Sequence, residues 1–396
     1  MSSPAVVSAE PAARSRSTRI VLVGFLLLSA LYVADTLLRT TLKTFWFDEL
    51  FTIYLCRLPS FADTWHAVMR GVDFNPPLFY LMTRAAQHLG GGEGLIASRM
   101  PAIFGFWIFG VCLYLFTAPR LGRLCGAIAA LVPWFTLAHY YAYEARAHGP
   151  LLAWCGLMLV SWQRSRSVGD TKPGADKRRR LLWLLAFSLS FLGALLTHVY
   201  GVYLTVPFLL PELHSLLRRR RPSFATLIAL LVPALVVAPP YVAMAHRYKS
   251  AIPSGGLHLH PYEVVQQYLL AVFGPALILL LLTLALLVFA HVRHASSTTP
   301  QALSFTTAEL LVASGMLLLP LLGVVAVKLT HGPYFDRYFM DSTAGFALLL
   351  VQVIALSAIR TLVTRTLLST MLLLVSADAL IAIYCHVRHT DIDLVE

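Results

Sequence analysis

Eleven apolar runs, spread along almost the whole chain, constrain this sequence more than any other feature. They lie at approximately 20–38, 100–118, 124–141, 148–162, 181–198, 202–217, 224–244, 268–290, 308–327, 338–358 and 367–384. A helix needs about 20 mainly apolar residues to cross a bilayer, and backbone in lipid must satisfy its own hydrogen bonds. The expected fold is therefore all-α and polytopic, with about eleven transmembrane helices. Composition agrees, since 58% of the 396 residues are hydrophobic and 13% charged, with mean hydropathy +0.72. An ordinary soluble domain carries about 25% charged residues. A soluble enzyme on one anchor, a disordered chain and a secreted disulfide scaffold are excluded, and no stretch remains for a Rossmann-type nucleotide domain. The five cysteines show no metal or redox spacing and are expected to serve packing.

The runs divide the chain into a leader (1–19, expected to be disordered), a membrane-embedded domain (20–384) and a short tail (385–396). The first run exceeds the roughly 7–15 apolar residues of a cleaved signal peptide and is read as an uncleaved span. The segment 39–99 is too polar to span and forms the first outer loop. Within it Pro76-Pro77 opens an amphipathic stretch, with Leu78, Phe79, Leu81, Met82, Ala85, Ala86 and Leu89 apolar against Arg84, Gln87 and His88. Such a stretch suits a helix lying in the membrane interface, ended by Gly90-Gly91-Gly92.

Orientation follows from charge, because cytoplasmic loops carry the Lys/Arg excess. With the N-terminus inside, 19 of the 31 basic residues fall in cytoplasmic segments, including the clusters around Arg178–Arg180 and Arg218–Arg221. Counting 76–89 as a span would throw both clusters outside. The basic runs read as topology signals beside anionic lipid, and no nucleic-acid partner is expected.

In this topology the chemistry-bearing residues converge on the outer face. Asp48-Glu49 stands among aromatics just after the first span, where partial desolvation would make a carboxylate a stronger base. The same pair also suits the first turn of a helix. Asn75-Pro76-Pro77 and Ser98-Arg99-Met100-Pro101 follow, with Arg99 either a functional cation or a snorkelling one. Glu144-Ala145-Arg146 sits between the third and fourth runs, where charges near hydrocarbon pair or line a polar cavity. Arg337, with Lys328 nearby, has the geometry to bind phosphate through parallel hydrogen bonds. His198 is read as a hydrogen-bonding group, and Asp35 and Asp378 as interior hydrogen-bond partners. His258 and His260 lack the further ligands a metal site needs and are read as part of a solvated loop.

These segments, in this order, resemble the polytopic glycosyltransferases of the C superfamily (GT-C). The likeness is greatest to the family 39-like dolichyl-phosphate-mannose protein mannosyltransferases and the aminoarabinose transferase relatives. Asp48-Glu49 resembles their acidic motif after the first span, and Asn75-Pro76-Pro77-Leu78 is similar to their His-Pro-Pro-Leu segment, with Asn in place of His. Arg99-Met100-Pro101-Ala102 and Glu144-Ala145-Arg146 match two further short motifs, and Arg337-Tyr338 matches the opening of a late span. The resemblance covers about residues 20–360. His148 departs from the Tyr or Pro that often follows the Arg. About a dozen residues follow Tyr384, so acceptor recognition is expected to come from elsewhere than a large C-terminal domain, or the acceptor is small.

The resemblance implies an inverting membrane glycosyltransferase, of hexosyl or mannosyl type, that moves a sugar from a polyprenyl-phosphate donor to a lipid, glycan or protein hydroxyl. Asp48 would be the general base and Glu49 would orient it or the acceptor. Arg337, Arg146, Lys328 and Arg99 would hold donor phosphate, with Glu144, Tyr338, His198 and Asn75 lining the substrate site. No cofactor is required, although a divalent metal could sit at Asp48-Glu49. The compact loops and the absence of a retention tetrapeptide point to a bacterial inner membrane, with the site facing outward. Two other readings remain, a flippase for a lipid-linked saccharide and a ligase or polymerase using a diphosphate-linked donor. The flippase reading is disfavoured by the lack of an internal repeat and by polar residues gathered at one face instead of the midplane.

Overall fold

The computed structural model describes residues 10–73, 75–167, 173–251, 273–293, 303–330, 336–357 and 360–393, and among them there is no strand. The first helix, α1 (Glu10–Leu42), is followed by three short helices of the first loop, α2 (Phe47–Arg57), α3 (Phe61–Met69) and α4 (Pro77–Leu89). Then come α5 (Leu95–Leu121), α6 (Arg123–Leu131), α7 (Leu137–Tyr140), α8 (His148–Ser167), α9 (Pro173–Thr197), α10 (Thr205–Leu217) and α11 (Phe224–Ala251). The last five are α12 (Gly274–Arg293), α13 (Thr307–Leu317), α14 (Leu319–Thr330), α15 (Ser342–Leu356) and α16 (Arg360–Asp393).

The chain is an all-α polytopic membrane protein, and the described residues of each apolar run fall mainly on helices. Five of them, in α1, α5, α9, α11 and α16, are long and apolar enough to cross a bilayer alone. Two bent pairs raise the number to seven: α6 with α7, bent by 68°, and α13 with α14, bent by 52°. The others are shorter or more polar, as in α10 with its 13 residues and α8 with Arg164 and Arg166 in its last turn. Helix α1 starts at Glu10 and α16 runs to Asp393, so much of the expected leader and tail extends the terminal helices.

Helix α4 matches the expected interfacial helix, with Pro77 in its first turn and Gly90 at its C-cap. The buried face differs from the one the apolar positions suggested. Phe79, Tyr80, Thr83 and Gln87 turn inward while Leu81 and Leu89 are exposed. The two inward polar groups are satisfied, Thr83 Oγ1 by the Phe79 carbonyl and Gln87 Nε2 by Ser98 Oγ. Exposed leucines are tolerated because lipid, unlike water, does not penalise them.

The centre of the bundle is set by α5 against α8. A Cβ on Gly105 would lie 2.3 Å from the Gly149 carbonyl oxygen, and one on Gly149 would lie 2.4 Å from that of Ala102. Small residues let helix backbones approach where no hydrophobic drive separates helix from lipid. Around this contact pack Phe106, Phe109, Phe116, Met158 and Trp162, with Phe187, Phe191 and Phe208 beyond. The outward faces carry exposed leucines, such as Leu185, Leu235 and Leu281. Polar groups collect at two opposite ends. At one end Glu309 accepts from Arg120 Nε at 2.9 Å and from Gln163 Nε2 at 2.7 Å. The other end holds the acids and arginines of the first loop.

Candidate active site

Glu49 and Arg99 form the foundation of that second end. Both side chains have 0% exposure. Arg99 donates from Nε and Nη2 to the two Glu49 carboxylate oxygens, each at 2.8 Å. Its other N–H groups go to the carbonyls of Thr40, Lys43 and Thr44, at 2.9, 2.7 and 3.1 Å. All five guanidinium donors are thus taken, by the end of α1 and by the first turn of α2. Glu49 also accepts from the Ala145 and Trp46 backbone N–H groups, at 2.6 and 3.2 Å. Its lone pairs are committed as completely as the arginine's donors.

In this arrangement Arg99 has no N–H group left for a phosphate, and its side chain has no exposed surface. The acceptor positions of Glu49 are filled, and through them it joins Arg99, the N-terminus of α2 and the backbone at Ala145. The N-cap of α2 is Trp46, and Glu49 at the third helical position bonds back to the Trp46 N–H.

Asp48, one residue earlier, points into a different environment. Its side chain is 19% exposed, and Oδ2 lies 3.1 Å from Arg337 Nη2, whose side chain is 22% exposed. Its backbone carbonyl accepts from Arg146 Nη1 at 2.9 Å. The same Nη1 reaches Asp73 Oδ2 at 2.9 Å and lies 3.4 Å from Thr52 Oγ1. Among the described residues, Nε and Nη2 of Arg146 make no hydrogen bond and remain available to a bound anion. Burial works against the charge on both arginines, but the carboxylates and phenols around them outweigh it and raise both pKa values.

Asp73 is the member that sequence reasoning missed. It is buried and accepts from Arg146, from Tyr80 Oη at 2.8 Å and from Asn75 Nδ2 at 3.3 Å. Its only sequence signal is a lone carboxylate two positions before Asn75. Asn75 therefore serves the carboxylate network, and its own side chain is buried.

Glu144 is fully buried and pairs with Lys43, not with Arg146. Lys43 Nζ also sits 4.0 Å from the centroid of the Tyr140 ring. Burial raises the Glu144 pKa, and the Lys43 ammonium offsets only part of that. Lys43 is a second omission, signalled only by a cation just past a span on the expected outer side. His198 and Tyr338 belong to a ring cluster with Tyr141, His148 and Tyr200. Its centroid separations run from 4.4 Å, for Tyr200 and Tyr338, to 6.3 Å, for His148 and Tyr338. His198 Nδ1 accepts from the Tyr200 N–H, while His148 Nδ1 is buried without a partner among the described residues. Lys328 is exposed in the last turn of α14 and makes none of these ion pairs. His258 and His260 lie outside the described residues.

Asp35, His139 and Asp378 bring three potential ligand atoms within 4.8 Å of one another, near the same end. Arg39 already occupies this group, donating to Asp35 Oδ1 at 2.8 Å and pairing with Asp378. Asp35 is interior as expected, whereas Asp378 is 54% exposed.

The arrangement of these helices is one already seen in a solved structure. The crystal structure of ArnT from Cupriavidus metallidurans bound to undecaprenyl phosphate is similar, with TM-score 0.54 and 14% sequence identity over 84% of this chain and 60% of that chain. The apo state of ArnT from the same organism gives TM-score 0.47 and 15% identity, over 71% and 49%. This chain thus spans about half to three-fifths of the length of those structures. No family model matches the sequence, and no curated protein matches it.

Proposed function

We propose that this protein transfers a sugar from a polyprenyl-phosphate carrier to an acceptor hydroxyl at the end of the bundle that holds Asp48, Arg146 and Arg337. The observation that carries the reading is the meeting of a part-exposed carboxylate with two arginines at one end of an apolar bundle. The ArnT fold, seen with undecaprenyl phosphate in one crystal structure, supports a donor of that class. In the reaction the acceptor oxygen bonds to the anomeric carbon, the bond from that carbon to the phosphate oxygen breaks, and the hydroxyl proton passes to Asp48. Displacement from the opposite face inverts the anomeric centre.

Arg337 has two roles in this scheme. Without donor it holds Asp48. A donor phosphate competes for the same guanidinium, and its capture would release the carboxylate to act as a base while the cation meets the charge of the leaving phosphate. The unengaged N–H groups of Arg146 supply the second half of that cradle. Tyr338, His198 and His148 would line the sugar, with Asn75 and Asp73 positioning Arg146, and Lys43 and Glu144 bracing the floor. A hexose is the expected sugar, and a lipid, glycan or protein hydroxyl the acceptor. The charge distribution supports an orientation with the N-terminus cytoplasmic and this site facing outward from a bacterial inner membrane.

The test is Asp48→Asn in purified protein, assayed for lipid-phosphate release from a labelled polyprenyl-phosphate hexose. Turnover should fall by at least about 100-fold, the low end of what a general base supplies, with thermal stability unchanged. Near-normal turnover would remove Asp48 from the mechanism.

A further inference from the structure

The opposite end of the bundle carries a cavity that the proposed chemistry does not use. It is an open recess of about 360 Å³ lined by Ser165, Arg166, Arg180, Glu212, Ser215, Arg221, Pro222 and Ser223. These come from the last turn of α8, the first turns of α9, the last turns of α10 and the turn leading into α11. Helix α8 begins at His148 in the candidate active site and ends beside this cavity, so its 20 residues place the two about 30 Å apart. That is the thickness of a bilayer's hydrocarbon core.

The lining is polar and cationic in a specific way. Three arginines face one glutamate, for a net formal charge of +2. Glu212 is spent on structure. Its Oε1 accepts from Arg166 Nη1 at 2.8 Å and its Oε2 from the Ser223 N–H at 2.6 Å. That pair fixes Arg166, which lies over the Trp162 ring at 5.2 Å, and leaves its remaining N–H groups without a partner among the described residues. Arg180 and Arg221 are exposed and make no ion pair among the described residues. Cations in lipid-facing proteins serve as topology signals wherever they lie, but a topology signal needs neither a cavity nor an arginine fixed by a buried carboxylate.

The surroundings say what kind of anion fits. Leu181 and Leu182 follow Arg180 directly, Leu216 and Leu217 follow Ser215, and Phe224 follows Ser223. All five side chains are more than half exposed. A cationic recess with hydroxyls, rimmed by exposed apolar side chains at the membrane boundary, matches an amphiphile and not a soluble ion. We infer that this cavity binds the phosphodiester headgroup of an anionic phospholipid, with the acyl chains lying on Leu181, Leu182, Leu216, Leu217 and Phe224. Basic recesses between membrane helices recognise headgroups of this class.

The experiment uses full-length protein in detergent, with bound lipid read by native mass spectrometry. The added probes are phosphatidylglycerol, phosphatidylcholine or inorganic phosphate alone. Wild type should retain phosphatidylglycerol in preference to phosphatidylcholine and should not retain inorganic phosphate. The double variant Arg180→Gln/Arg221→Gln, whose exposed side chains make no ion pair among the described residues, should bind phosphatidylglycerol about 25-fold more weakly, at roughly fivefold per removed cation. The control Arg178→Gln/Arg179→Gln removes two nearby charges outside the cavity and should cost clearly less retention than the cavity pair. Equal losses in both double variants would reduce the effect to general surface charge and overturn the site. Equal retention of the two lipids, or binding of inorganic phosphate without lipid, would overturn it as well.

Discussion

Replacing Arg99 with Met separates structure from chemistry at this site most cleanly. The side chain is fully buried, and its five donors go to one carboxylate and three backbone carbonyls. Met fills similar volume but leaves Glu49 ionised and buried, with only the N–H groups of Ala145 and Trp46 to hold it. Breaking a buried ion pair from one side costs about 3–5 kcal/mol, because the remaining charge is uncompensated. The three carbonyls that close the end of α1 lose their partner at the same time, so the upper part of that range is expected. Removing both charges, in Arg99→Met/Glu49→Met, should cost less than the sum of the two single changes, with a coupling of about 1–3 kcal/mol. The measurement is unfolding of the four proteins in mixed micelles of mild detergent and increasing sodium dodecyl sulfate, with turnover recorded in parallel. A stable Arg99→Met protein that loses only donor affinity would refute the argument and return Arg99 to the phosphate site.

Three further outcomes are expected. Gly149→Val places carbon atoms against backbone of Ala102 that cannot yield, so α8 must shift along with Arg146 and His148. Turnover should fall about 100-fold, as for a misplacement near 1 Å, whereas Gly24→Val, with open space around it, should have no effect. Glu144 has a raised pKa in the folded protein, so its contribution to stability is full below the ordinary glutamate pKa of about 4.3 and is lost as pH rises through the folded value. The stability of wild type relative to Glu144→Gln should therefore fall as pH rises out of the acid range. A pH-independent difference in thermal melts would contradict this assignment. Arg337→Gln should raise the KM for donor, while Lys328→Gln should leave it unchanged. Equal effects in steady-state kinetics would argue that both cations hold the phosphate.

The sequence by itself determined the solvent of this protein and the elements that solvent permits. Apolar length placed the runs on helices among the described residues, the diproline and amphipathic pattern located the Pro77–Leu89 helix, and charge sorted the basic clusters to one end. These properties are local, set by a few consecutive residues and their transfer energy into lipid. The roles of individual charges were decided elsewhere. Asp48 and Glu49 are neighbours of the same chemical type, yet Glu49 is enclosed by four donors while Asp48 is part-exposed beside Arg337. Arg99 and Arg146 divide in the same way, one saturated and the other with N–H groups to spare. Asp73, far from both arginines in sequence, joins the site because Arg146 reaches it across the first loop. Whether a charge is structural or available depends on how many of its hydrogen-bonding positions are filled, and only the packing of α1, α2, α5 and α8 fills them.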